Sequence, residues 1–215
     1  MRTVENIKCS GDREALLRFL LVKAAPVMLK VRPAVLIRLS NCGRIAELRR
    51  YDHFCIHQQE ILSALRTNYL ILKNTGKDMQ ILFFDSEGLE TVLTHRDNCE
   101  FLEGIGYRRS TEAGEYLAEL RRRFVSPLFP HEIGIFLGYP LKDVRAFMAG
   151  RQDSVSIPRP LWRVFDDPSE SLRLMWMYRF AEDIGRAAIV QYKQAELSIE
   201  QIRKCVCNKV AVSSV

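Results

Sequence analysis

The chain has 215 residues, of which 47% are hydrophobic and 27% charged, with a formal net charge of +6. That balance excludes disordered, collagen-like and disulfide-framework proteins, and the length suits one domain with a sizeable core. The 32 basic against 26 acidic residues are spread along the chain, so the excess permits an anionic partner without demanding one.

Nothing approaches the roughly 20 apolar residues that cross a bilayer. The best apolar run, 16–31, is broken by Lys23, Pro26 and Lys30. The first residues are too polar for a secretory signal, so a cytoplasmic protein without membrane contact is expected. Six cysteines (Cys9, Cys42, Cys55, Cys99, Cys205 and Cys207) show no framework spacing and read as free thiols. Cys205-Val-Cys207 supplies at most half a zinc site, and no metal site is expected.

Residues 12–24 predict an amphipathic helix, capped by Ser10 or Asp12 and ended by Pro26, with Leu16, Leu17, Phe19, Leu20 and Leu21 as its apolar stripe. A strand follows around Val35 to Arg38, then a helix over about 44–67. Runs 69–73 and 79–84 flank Asn74-Thr75-Gly76-Lys77-Asp78, the clearest hairpin signal in the chain. Short helices are expected at 89–94 and 98–103, with a strand at 89–93 as the competing reading, then a longer helix to Phe124. In 129–150, Ile133, Phe136, Leu137, Leu141, Val144 and Phe147 recur at helical spacing, which predicts two short helices meeting where Gly138 closes one and Pro140 opens the next. A polar loop over 151–160 leads to a last strand at Leu161 to Phe165. A long helix over 169–192 carries Leu172, Trp176, Phe180, Ile184 and Ala188, and a final helix spans 197–206.

The expected fold is therefore α+β, with a small, mainly antiparallel sheet of about four strands covered by helices and a long C-terminal helix packed along it. One domain would span 1–195, with 196–215 as a helix and loose tail.

His131 and Glu132 follow Phe129-Pro130 at a helix start. A polar pair among apolar neighbours either satisfies the core or forms a site in which a carboxylate orients an imidazole. Both readings stay open, the second including an acid-base enzyme. His53 and His57, four apart, share a helical face, but no carboxylate or cysteine completes a ligand set and they read as solvent-facing. His95 reads as a surface turn residue. No Gly-flanked nucleophile or phosphate loop occurs. The spacing of Glu132, Gly134, Gly138, Val144 and Phe147 also fits a helix-turn-helix over 131–149, with Lys142, Asp143 and Arg145 towards the bases. Against it, Ile135 and Phe136 make the first helix apolar nearly all round, and the second is poor in base-reading side chains. Arg108-Arg109 and Arg121-Arg122-Arg123 could meet phosphates, though a charge run ending a helix more often faces water.

The segments APVMLKVRPAVL (25–36), FPHEIGIFLGYPLKDVRAFM (129–148) and PLWRVF (160–165) together resemble a bacterial and archaeal family, domain of unknown function family 3793, in order over about 12–193. The resemblance implies a shared fold unit and no mechanism. Family members look to carry His-Cys before the Ala-Pro, where this chain has Lys23 and Ala24, and Gly-Tyr-Trp-Lys-Val-Tyr where it has Arg159 to Phe165. A function resting on that cysteine would be lost here. The shared features not explained by core packing point to a ligand- or partner-binding site bounded by His131, Glu132, Tyr139, Trp162 and Arg163, with DNA binding through Lys142 and Arg145 as the second choice. The residues name no cofactor and no particular partner.

Overall fold

A computed structural model describes the backbone over residues 2–41 and 49–212 and the side chains over 11–41 and 49–205. The order is α1 (Arg2–Met28), β1 (Ala34–Ser40), α2 (Arg50–Leu65), β2 (Asn68–Asn74), β3 (Asp78–Phe84), α3 (Ser86–Thr94), α4 (Arg96–Gly104), α5 (Ala113–Arg123), α6 (Ile133–Phe136), α7 (Leu141–Met148), α8 (Ser169–Tyr192) and α9 (Ala195–Val212). The fold is α+β, mostly helical, around one three-stranded antiparallel sheet in the order β1-β3-β2.

The sheet is apolar on both faces because helices cover both. Val35, Ile37 and Leu39 lie opposite Phe83, Ile81 and Met79 in the β1–β3 register. Together they pack against Leu17, Leu20 and Leu21 of α1, Phe54 and Ile61 of α2, and Ile199 and Ile202 of α9. The alternate residues, Ala34, Leu36, Leu72 and Leu82, face a second core built on Leu89, Leu102, Leu120, Ile135 and Phe136. Two-sided burial explains the nearly continuous apolar reading of β1 and β3. In the β2–β3 turn the Asn74 side chain accepts a hydrogen bond from Gly76 N at 3.0 Å, and Gly76 adopts φ +79°, the left-handed region that glycine enters freely.

Four expectations need correction. The segment 161–165 is not a fourth strand: within it Val164 makes an isolated antiparallel bridge to Val155, and the rest is held by side chains described below. Helix α1 starts at Arg2 and passes through Pro26 to Met28. The missing proline N–H forfeits one bond of the last turn, while Leu29 N still reaches Ala25 O at 2.8 Å. Helix α8 packs chiefly on α1 and α9 rather than along the sheet. Its buried face is Ser171, Met175, Tyr178, Ala181, Gly185 and Ala188, and a Cβ on Gly185 would stand 3.0 Å from Ala25 Cβ. Small residues set this close crossing, so the larger stripe of Leu172, Trp176 and Phe180 is turned outward. Lastly, His53 and His57 are not solvent-facing: their side chains are 13% and 12% exposed, near Asp12 and Glu60 respectively.

The 89–94 and 98–103 segments are helical as α3 and α4, with the Asp85 side chain accepting from Gly88 N at 2.8 Å. Residues 42–48, which include the start of the predicted 44–67 helix, and the Cys207 side chain lie outside the described residues. Among the described residues no helix is long and apolar enough to cross a membrane, and no cluster of His, Cys, Asp and Glu has metal-binding geometry.

Candidate functional site

The α6–α7 hairpin is defined by its glycines. Tyr139 N bonds Gly134 O at 2.9 Å and Gly138 N bonds Ile135 O at 2.9 Å, with Gly138 at φ +73°, the paired bonds of a Schellman helix end. The same pattern closes α7, where Arg151 N bonds Ala146 O, Gly150 N bonds Phe147 O, and Gly150 has φ +73°. Ile135 and Phe136 are fully buried, so the first helix is scaffold. Tyr178 Oη donates to Gly138 O at 2.9 Å, and Arg32 Nε donates to Leu137 O at 3.1 Å. The turn is thereby pinned to α8 and to the α1–β1 connection.

Asp143, 2% exposed, clamps the loop that follows. Its Oδ2 accepts from Trp162 Nε1 at 2.8 Å and from Ser171 Oγ at 2.6 Å, while its Oδ1 accepts from Phe165 N at 2.9 Å and Lys142 Nζ at 2.8 Å. Four donors fill the roughly four acceptor sites of a carboxylate. Lys142 Nζ also donates to Phe165 O at 2.7 Å. Trp162 so held stacks on Tyr139, with ring centroids 4.2 Å apart and an interplanar angle of 19°.

Between these parts lies a recess of about 300 Å³, near the lower limit for small-molecule sites. Leu36, Ile133, Leu137 and Val144 form its apolar floor, with Phe129, Phe147, Tyr139 and Trp162 as aromatic walls and His131 and Arg163 as polar groups. Asp143 also borders it, with its oxygens already committed. The exposed His131 ring meets Phe147 edge-on at 4.9 Å and Phe129 at 5.4 Å. The exposed Arg163 guanidinium bonds Ser154 Oγ at 3.3 Å and lies 5.6 Å from the Phe165 ring centroid.

Four of the five residues expected at a site, His131, Tyr139, Trp162 and Arg163, therefore meet at one recess. Glu132 does not. It is 4% exposed and turned to the other side of the backbone, accepting from Tyr107 Oη at 3.2 Å and Arg123 Nη1 at 3.1 Å. Burial, then the Glu132 charge, pushes the Tyr107 hydroxyl well above its usual pKa, so it stays a donor. Nothing in this arrangement brings Glu132 to His131 as an acid-base pair. Arg123 also bonds Glu119 at 2.8 Å, and Arg122 grips Glu119 with two bonds of 2.7 Å, so much of this arginine run is paired within the fold.

The Glu119 carboxyl is lowered from its ordinary 4.5 to about 2, first by the Arg122 hydrogen bonds and then by Arg123. A depressed folded-state pKa contributes stability above the ordinary value that disappears as pH falls towards the folded one. Glu119→Gln should therefore lose less stability than the wild type between roughly pH 5 and pH 3, measured by urea midpoints. Equal losses would contradict this.

Of the two cations expected to face DNA, Lys142 is engaged within the fold, whereas Arg145 is exposed. Lys142 is bound to Asp143 and Phe165 O, and Arg145 lies 5.2 Å from the Phe101 ring centroid. Asp143, expected beside them towards the bases, is in the core. Lys23 bonds Glu182 at 3.0 Å and Ala24 is fully buried; neither borders the recess.

The sequence pattern of the family described as "Protein of unknown function (DUF3793)" matches residues 20–202, most of the chain. The chain belongs to this family. No curated protein and no solved structure matches it. The three segments that carry the DUF3793 resemblance are distant in sequence and converge in space: every residue bordering the recess falls within 25–36, 129–148 or 160–165. Sequence reasoning missed one member of this DUF3793 recess in its true role, Asp143. Its signal, a lone acid opening an apolar helix, becomes informative only with Trp162 and Ser171 known to lie beside it.

Proposed function

We propose that this chain binds a small, largely apolar anion in the α6–α7 recess. The supporting observation is the composition of its walls: four aromatic rings and an aliphatic floor, with His131 and Arg163 as polar groups and the one bordering carboxylate already saturated by four donors. An apolar body gains by leaving water, and one acidic group gains a charge-assisted bond from Arg163. No hydrogen bond from the His131 ring is present among the described residues, so it is a second donor for the same group. Groove recognition through α7 is the weaker reading, because the face carrying Asp143, Val144 and Ala146 is buried.

Anilinonaphthalene sulfonate and the uncharged N-phenylnaphthylamine probe the two halves of this reading. The sulfonate should bind at one site per chain, and Arg163→Ala should weaken it about tenfold, the loss of one charge-assisted bond at an exposed site. Binding of the neutral probe should be unchanged by that substitution. If both probes respond equally to Arg163→Ala, or if neither binds the native chain, the proposal fails.

A further inference from the structure

The stripe turned outward on α8 is an apolar feature that the recess does not use. Leu172 is 43%, Trp176 65% and Phe180 53% exposed. The indole and phenyl rings lie parallel, with centroids 5.3 Å apart and an interplanar angle of 7°. They form one flat platform on a helix of 24 residues. Such a platform is expensive to leave in water.

The charges beside it select an occupant. Asp183 and Arg173 lie five residues to either side of Tyr178, and Arg186 and Glu170 lie eight to either side. All four are exposed. A helix with this arrangement is complementary to its own antiparallel copy: turned end for end about the level of Tyr178, Trp176 meets Phe180, and Arg173 of one copy lies at the height of Asp183 of the other, across the seam. A parallel copy would oppose like with like. Each Arg173 sits about 7.5 Å along the axis from the centre, close enough to flank the aromatic seam. Asp183 already pairs with Arg186 within the helix, and Arg186 also bonds Glu182, so the second copy's Arg173 adds a cation beside Asp183 at each end.

We propose that two copies of this chain pair through α8 in this antiparallel register, burying the Trp176–Phe180 platform of each against the other. The pairing is isologous, the commonest symmetry of soluble homo-oligomers. It is independent of ligand binding in the recess.

The test is sedimentation equilibrium of the full chain and of exposed-site variants that leave the core untouched. The wild type should show twice the single-chain mass, and the combined W176A/F180A change should give the single-chain mass. Arg173→Asp alone places two aspartates opposite each other at both ends, and Asp183→Arg alone places two arginines, so each should weaken pairing about tenfold or more. Mixing the two variants restores opposite charges at both ends and should recover the dimer, as should the double exchange R173D/D183R in one chain. A wild type of single-chain mass across the accessible concentrations overturns the proposal. So does a dimer indifferent to W176A/F180A, or a mixture that fails to re-pair. A single chain that instead floats with anionic vesicles, and loses this with W176A/F180A, assigns the platform to a membrane surface and overturns it as well.

Discussion

Asp143→Ala should cost about 3–5 kcal/mol of folding stability, the range for breaking a buried charge pair while leaving its partners in place. The substitution strands four donors at once: the Trp162 indole, the Ser171 hydroxyl, Phe165 N and the Lys142 ammonium. Lys142 keeps Phe165 O and the exposed side of its reach, so the greater loss comes from the indole and the backbone amide. Asp143→Asn should fall between, because its oxygen still accepts while its NH2 now faces donors. Urea unfolding measures both. In a W176F background, where Trp162 is the single indole, native emission should also move to the red in Asp143→Ala as the stack on Tyr139 loosens. A loss below about 1 kcal/mol, the scale of an ordinary hydrogen bond, would show that the carboxylate does not hold the loop.

Gly138 and Gly150 offer a controlled comparison, because both adopt φ +73° and only one is crowded. A Cβ at Gly138 would stand 2.7 Å from both Pro33 Cδ and Tyr178 Oη, whereas at Gly150 nothing lies within 4 Å. Gly150→Ala therefore carries the left-handed backbone penalty of roughly 1–2 kcal/mol. Gly138→Ala adds the displacement of a proline ring and of the tyrosine that bonds its own carbonyl. Overpacking of this kind brings about 1–3 kcal/mol more, so the two variants should differ by that amount in urea unfolding. Equal losses would mean that the turn is not pressed against Pro33 and α8.

The legible parts of the fold were those where local chemistry and tertiary packing agree. The β2–β3 hairpin was readable because Asn74 and Gly76 define the turn themselves. The α6–α7 corner was readable because Gly138 and Pro140 punctuate an apolar run. The limits of α8 are legible in its periodicity, whereas the face it buries is not. Apolar size favours Leu172, Trp176 and Phe180, whereas the crossing with α1 is set by Ala181 and Gly185, whose value is their lack of bulk. The segment 161–165 has strand-like residues, but its amide and indole are satisfied by Asp143 instead of by a neighbouring strand, a long-range substitution invisible to periodicity. Glu132 and His131 were read as one unit because they are adjacent, while the backbone at the start of α6 sends one inward to Arg123 and leaves the other outside.

Methyl-resolved NMR during titration with anilinonaphthalene sulfonate tests the central claim most directly, because the recess and the alternatives carry separate methyl groups. The account predicts saturable shifts of Leu36, Ile133, Leu137 and Val144 at the recess, with Ile61, Leu65 and Ile199 in the opposite core unmoved. Shifts confined to Leu172 and Ile184 on the outer face of α8, with the recess methyls silent, would contradict it.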